Sequence, residues 1–181
     1  MALKSTVYKA ALNVADLGRN MYADFGLTLA RHPSETEQRM MLRLIAFALH
    51  ADEALVFGKG ISTDDEPDLW KKSLSGEIEL WIELGTPEPD RIKKACGRSS
   101  EVVVYTYGDR SVPVWWAKHA GVLGRMKNLK VLQVPDAQSQ ALAALVASTM
   151  SLQCTLDAGE VWVSAGNSSV QIAPQQLAIL A

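Results

Sequence analysis

From Ile78 to Val134 the chain reads strand, helix, strand, helix, strand, and that alternation restricts it to a sheet with helices laid against it. IELWIEL, Ile78–Leu84, sends Ile78, Leu80, Ile82 and Leu84 one way and Glu79, Trp81 and Glu83 the other. A helix is expected from Pro89 to Ser99, with Ile92, Ala95, Cys96 and Ser99 as its inward stripe. VVVYTY, Val102–Tyr107, is rich in β-branched and aromatic residues and fits a central strand covered on both faces. A second helix over Val112–Met126 leads to a strand at Leu129–Val134.

The flanks have a different rhythm. Residues 3–14, with Leu3, Val7, Ala11 and Val14, and residues 21–30 read as two strands around a turn at Asp16–Asn20. His32-Pro33-Ser34 ends the extended run, and Ser34 with Glu37 matches a capping box for a helix carrying Met41, Leu44, Ile45, Ala48 and Leu49. A short strand is expected at 54–58, then a loop-rich stretch over 59–76, marked by Gly58, Gly60, Pro67 and Gly76. Asp136 is placed to cap a helix running to Thr149. Three strands at 151–156, 160–164 and 169–173 follow, with turns at Asp157-Ala158-Gly159 and Gly166-Asn167. The expected fold is mixed α/β: one domain over 1–181, with a central mixed sheet flanked by helices and additional antiparallel hairpins.

Apolar residues make up 48% and charged residues 21%, an ordinary globular balance. A net charge of −2 exerts no general pull on nucleic acid, so any phosphate contact must come from a local patch. The charges are segregated: 11 of the 20 acids fall between Asp52 and Asp90, and Arg91, Lys93 and Lys94 follow directly. Cys96 and Cys154 stand apart, in no CxxC or His-rich spacing, which argues against a disulfide framework or structural zinc. The start lacks the apolar core of a signal peptide, and no apolar run is long enough for a membrane span. A cytoplasmic location is expected.

Acids followed by bases on adjoining elements suit metal-assisted phosphodiester chemistry. Hard divalent ions such as Mg²⁺ or Mn²⁺ take carboxylate oxygens, and the charge developing on phosphate needs a cation. Glu79 and Glu83 share a strand face but lie about 13 Å apart at ~3.3 Å per residue, too far to share an ion. Glu83 therefore needs a partner from Glu66-Pro67-Asp68. If residues 67–73 pair with 77–84 as a hairpin, Asp68 comes beside the Glu83 end. Glu37 is a third candidate acid. Lys93, flanking the buried stripe, is the expected site cation, Arg91 its alternative, and Lys94 lies nearer the outside. Trp81 shares the Glu83 face and could wall the site.

Plainer roles compete with these. Glu37 can be a capping residue and nothing more. Asp64 and Asp65 fit a solvated loop, Lys94 and Arg98 a solvated helix face, and Trp70, Trp115 and Trp116 the edge of a core. His32, His50 and His119 are scattered, and both cysteines read as packing residues.

The segments LARHPSETEQRMMLRL, DDEPDLW and LWIELGTPEPDRIKKA resemble those of the YaeQ family of small bacterial proteins. The likeness extends from LKSTVYKAALNVAD to TMSLQCTL and VWVS, nearly the whole chain. The resemblance implies a variant of the PD-(D/E)XK nuclease fold, a restriction-endonuclease-like core with one or two Mg²⁺ or Mn²⁺ ions. On this chain Pro67-Asp68 resembles the PD element, Glu83 the second acid and Glu37 the first-helix acid, with Asp68 against Glu66 as metal ligand left open. Gly85 stands where the motif has lysine, and Lys93 resembles a migrated replacement. Arg91, Lys94 and Trp81 would contact substrate. The implied activity is hydrolysis of DNA or RNA. The alternatives are a transcription-associated regulatory module that keeps the fold without catalysis, and hydrolysis of a small phosphate compound.

Overall fold

Eleven strands and four helices occur among the described residues, which in this computed structural model are 4–59 and 63–177. Leu3 of the first expected strand and Gly60 of the expected loop lie outside them. The elements form two mixed sheets in two compact units.

The first unit combines Met1–Ala51 with Ala137–Ala173. Strands β1 (Thr6–Asp16) and β2 (Met21–Arg31) make an antiparallel hairpin with Thr6 opposite Arg31 and Asp16 opposite Met21. β1 buries Tyr8, Ala10, Leu12, Val14 and Asp16 and exposes most of the alternate positions, as strand periodicity requires. Later in the chain come β8 (Thr149–Asp157), β9 (Glu160–Ala165) and β10 (Ser168–Ile172). β8 runs parallel to β1, from Lys9 opposite Thr149 to Asp16 opposite Leu156, giving the order β10-β9-β8-β1-β2. The closing hairpins thus extend the opening one. This is the correction to a single central sheet: the β1–β8 pairing spans about 140 residues and leaves no local sequence signal.

Helix α1 (Glu37–Leu49) is buried at every residue from Met40 to Ala48, Arg43 included. Arg43 is matched there: its Nε and NH2 donate to the two oxygens of Glu35 at 2.8 Å each, and NH2 also reaches the Ala30 carbonyl at 3.0 Å. Phe47 meets Phe25 of β2 edge to face, with centroids 5.1 Å apart. The expected capping box is corrected. Thr36, not Ser34, is the N-cap and accepts from the Arg39 N–H, while the Ser34 hydroxyl bonds His32 Nδ1. Helix α4 (Asp136–Ala143) stops well short of Thr149. Its last turns tighten to Leu145 N–H on Leu142 O and Val146 N–H on Ala143 O, and the chain is extended by Thr149 to pair with β1.

The second unit, Asp52–Asp136 with Pro174–Ala181, holds β3 (Leu55–Phe57), β4 (Leu69–Lys72), β5 (Ile78–Leu84), β6 (Ser99–Tyr107), β7 (Leu129–Val134) and β11 (Gln175–Gln176). Their order is β11-β7-β6-β5-β4-β3. β5, β6 and β7 are parallel, linked by α2 (Pro89–Arg98) and α3 (Ser111–Leu123), as the strand–helix alternation requires. The core cluster gathers Trp81, Ile92, Ala95, Val102, Val104, Trp115, Leu123 and Val131. Trp115 is pinned there by its Nε1–H on the Pro87 carbonyl, with Trp116 packed alongside, so this pair covers core. Cys154 is buried in the first unit and Cys96 half-buried in the second, its thiol 3.8 Å from Met126 Sδ. No helix among the described residues is long and apolar enough to cross a membrane.

Candidate functional site

β4 lies antiparallel to β5, with Leu69 opposite Ile82 and Trp70 opposite Trp81. The Asp68 N–H bonds the Ile82 carbonyl at 3.1 Å, and the Leu84 N–H donates to Asp68 Oδ2 at 2.8 Å. This is the expected hairpin, and it sets Asp68 at the Glu83 end of β5. Both acids are 4% exposed. Gly58 permits the approach: a Cβ there would stand 1.9 Å from the Pro67 carbonyl oxygen, and its N–H bonds the Asp68 carbonyl at 3.0 Å.

Glu83 is engaged through one oxygen. Its Oε1 accepts from Trp81 Nε1 at 2.9 Å and from Arg91 Nε at 2.8 Å, and is ion-paired with Arg91 NH2, also at 2.8 Å. Trp81 and Glu83 sit two residues apart on one strand face, so a buried indole N–H finds its acceptor locally. Burial, and then the charge of Asp68, push the Glu83 carboxyl above the ordinary range against the pull of Arg91 and Trp81. Arg91 also donates to the carbonyls of Asp64 at 2.7 Å and Glu66 at 2.9 Å. One guanidinium therefore fastens the loop before β4 to the acid on β5.

The expected site residues divide. Asp68, Glu83, Trp81 and Arg91 form one connected group in the second unit. Lys93 is exposed on α2, whereas Arg91, two residues earlier, reaches Glu83. The Glu66 carboxylate takes the Lys59 N–H at 2.9 Å. Glu37 belongs to the first unit, exposed at the first residue of α1. Glu79 is partnered with Lys71 at 3.5 Å. Gly85 has φ +97°, so β5 has already turned out of extended geometry at the position where the resembled motif has its lysine. The sequence places Gly58 at the end of a short strand, entering the loop, but does not show that it makes room for the Pro67 carbonyl. Among the described residues no three of His, Cys, Asp and Glu are gathered as metal ligands.

Beside this group lies a cleft of about 620 Å³ between the Asp64–Asp65 segment and α2, lined by Lys94 and Arg98 as well as Arg91 and Trp81.

A mixed α/β protein with a buried acid pair at the end of a parallel strand is the class these features define. The chain belongs to the YaeQ family: the family model described as "YaeQ protein" matches residues 1–174. It is 46% identical over 172 residues to the uncharacterised YaeQ proteins of Salmonella typhi and Escherichia coli K12, covering 95% of each chain. The crystal structure of YaeQ from Xanthomonas axonopodis pv. citri superposes with a TM-score of 0.91 at 46% identity, over 95% of this chain and 97% of that one. The YaeQ structure from Pseudomonas syringae gives 0.91 at 37% identity, over 96% of each.

Proposed function

We propose that the protein is a divalent-metal-dependent, nuclease-like phosphodiesterase with a variant PD-(D/E)XK core, acting on DNA or RNA. The observation that carries this reading is the buried Asp68–Glu83 pair. Two carboxylates are held together on adjacent strands, and Asp68 raises the Glu83 carboxyl. A divalent cation relieves that repulsion, and Mg²⁺ typically takes one or two carboxylates and keeps its waters.

The donor set fits one such ion: Glu83 spends only Oε1 on Trp81 and Arg91, and among the described residues Oε2 takes no hydrogen bond. A bound ion would supply Lewis-acid polarisation of the phosphoryl oxygen. The chain's own residues do the rest. Asp68 and Glu83 hold the acid geometry, the former through the Leu84 N–H and the latter through Trp81 and Arg91. Arg91 and Lys94 face the charge that develops on the phosphate. Lys93 and Glu37 are not needed for this minimal set.

The test is cleavage of labelled oligonucleotides with Mn²⁺ by wild type, Asp68→Asn and Glu83→Gln. The reading expects a loss of about 100-fold or more in each variant. Cleavage at equal rates in all three would remove the assignment.

A binding module that keeps the fold without catalysis is the second reading. It is favoured by Gly85 at the motif lysine position and by the arginine already paired with Glu83. It predicts nucleic-acid or protein binding with no metal dependence.

A further inference from the structure

The cleft beside the acid pair has features that core packing does not explain. Its volume of about 620 Å³ falls within the range of ~300–1,000 Å³ that small-molecule sites occupy. Its lining includes the buried residues Trp81 and Ala95, and α2 presents Lys94 and Arg98 to it, one turn apart. Lys94 is exposed, with no ion pair among the described residues. The Arg98 guanidinium lies 5.3 Å from the Trp81 ring centroid, and its NH1 is 3.4 Å from the Asp65 carbonyl. A planar cation is thus spread over an indole, with the residue itself exposed.

Gly97 is the second, independent sign. It sits inside the last turn of α2, lines the cleft, and has nothing within 4 Å of where a Cβ would stand. Its φ is not in the left-handed region, so neither backbone strain nor close packing calls for glycine here. Glycine inside a helix is unfavourable relative to alanine, and this one leaves the cleft open. Beyond Gly97 and Arg98 a shallower groove of about 560 Å³ continues past Ser99 and Ser100, opposite Gly76–Ile78.

We propose that this cleft seats one unstacked base of a single-stranded nucleic acid against the exposed Arg98 guanidinium, which the buried Trp81 ring backs, with the adjoining phosphate on Lys94. The proposal deepens the nuclease reading and rests on it for the class of ligand. Guanidinium planes and aromatic rings are the surfaces on which splayed bases stack. Asp64, Asp65 and Glu88 also line the cleft, so it is bipolar and not generally anion-attracting. A nucleotide matches that pattern, with a phosphate for the α2 side and base N–H donors for the acidic side. The continuing groove favours a strand over a free nucleotide. A duplex keeps its bases stacked and cannot fill a cleft this size.

The experiment is anisotropy of a labelled 12-mer, as single strand and as duplex, in EDTA. It uses wild type, Gly97→Leu, Lys94→Glu and, as a control on the exposed face of α3, Lys118→Glu. Adenosine 5′-monophosphate serves as competitor to separate a free nucleotide from a strand. The single strand should bind at least about tenfold tighter than the duplex, and Gly97→Leu and Lys94→Glu should each weaken it about tenfold or more. Lys118→Glu should bind as wild type does. Gly97→Leu places its Cβ where nothing lies within 4 Å, and its melting temperature, measured alongside, should equal that of wild type, which separates lost binding from unfolding. Wild-type affinity in a folded Gly97→Leu protein, equal affinity for duplex, or full competition by the mononucleotide at the strand's own affinity would each overturn the proposal. Strand binding without cleavage in Mn²⁺ defeats the nuclease reading alone; cleavage indifferent to Gly97→Leu defeats this one alone.

Discussion

Arg91 donates from Nε to Glu83 Oε1 at 2.8 Å and its NH2 lies 2.8 Å from the same oxygen as an ion pair, while NH1 and NH2 donate to the carbonyls of Asp64 and Glu66. The helix after β5 thereby fixes both the acid on that strand and the loop that delivers Asp68. Replacing Arg91 by alanine removes three hydrogen bonds and an ion pair and leaves a buried carboxylate uncompensated. We expect a loss of about 2–4 kcal/mol in urea unfolding. The Glu83 carboxyl should rise further, because Arg91 is the first of the influences that lower it. Carboxylate titration by NMR reads that shift.

Glu83 itself gives stability a definite pH dependence. A carboxyl whose folded value is raised binds its proton more tightly in the native state. Its favourable contribution is therefore complete below the unfolded value, about 4.3, and is lost as pH climbs through the folded value. Glu83→Gln, which cannot ionise, removes that loss. The variant should gain melting temperature relative to wild type at pH 8, and the gain should shrink toward pH 4. A gap that is constant across this range would show that Asp68 and burial do not control the group.

Gly58→Ala tests the geometry that brings the acids together. The added carbon would stand 1.9 Å from the Pro67 carbonyl, and backbone must move to admit it. A cost of about 1–3 kcal/mol is expected, together with loss of divalent-ion binding, since Asp68 moves with its backbone.

In the first unit, Glu35→Ala should cost about 3–5 kcal/mol by denaturant unfolding. It strands the Arg43 guanidinium, 5% exposed, inside a buried helix. Arg43→Met together with Glu35→Leu should recover much of that loss, as paired apolar replacements of buried ion pairs do.

The sequence was most legible where periodicity is local. IELWIEL gave its strand from Ile78 to Leu84, and the Asp68–Glu83 neighbourhood followed from a hairpin whose two arms lie within twenty residues. The two sheets were not legible, because the β1–β8 pairing depends on residues as distant as Lys9 and Thr149. α4 was overextended since QALAALVAS has helical composition and nothing local announces that Thr149 is claimed by another strand. The choice of Lys93 over Arg91 turned on helix rotation. At about 100° per residue the two point nearly oppositely, and the hydrophobic stripe alone did not say which flank faces Glu83. Glu35 and Arg43 escaped notice although a lone arginine in MMLRLIAFAL signals a buried partner.

The proposed function requires that Asp68 and Glu83 form a divalent-ion site, and Mn²⁺ titration calorimetry on wild type, Asp68→Asn and Glu83→Gln reads that site without recourse to activity. It predicts one saturable site in the wild type, weakened about tenfold or more by either substitution with the fold intact by circular dichroism. No saturable binding to the wild type, or binding unchanged in both variants, would contradict it.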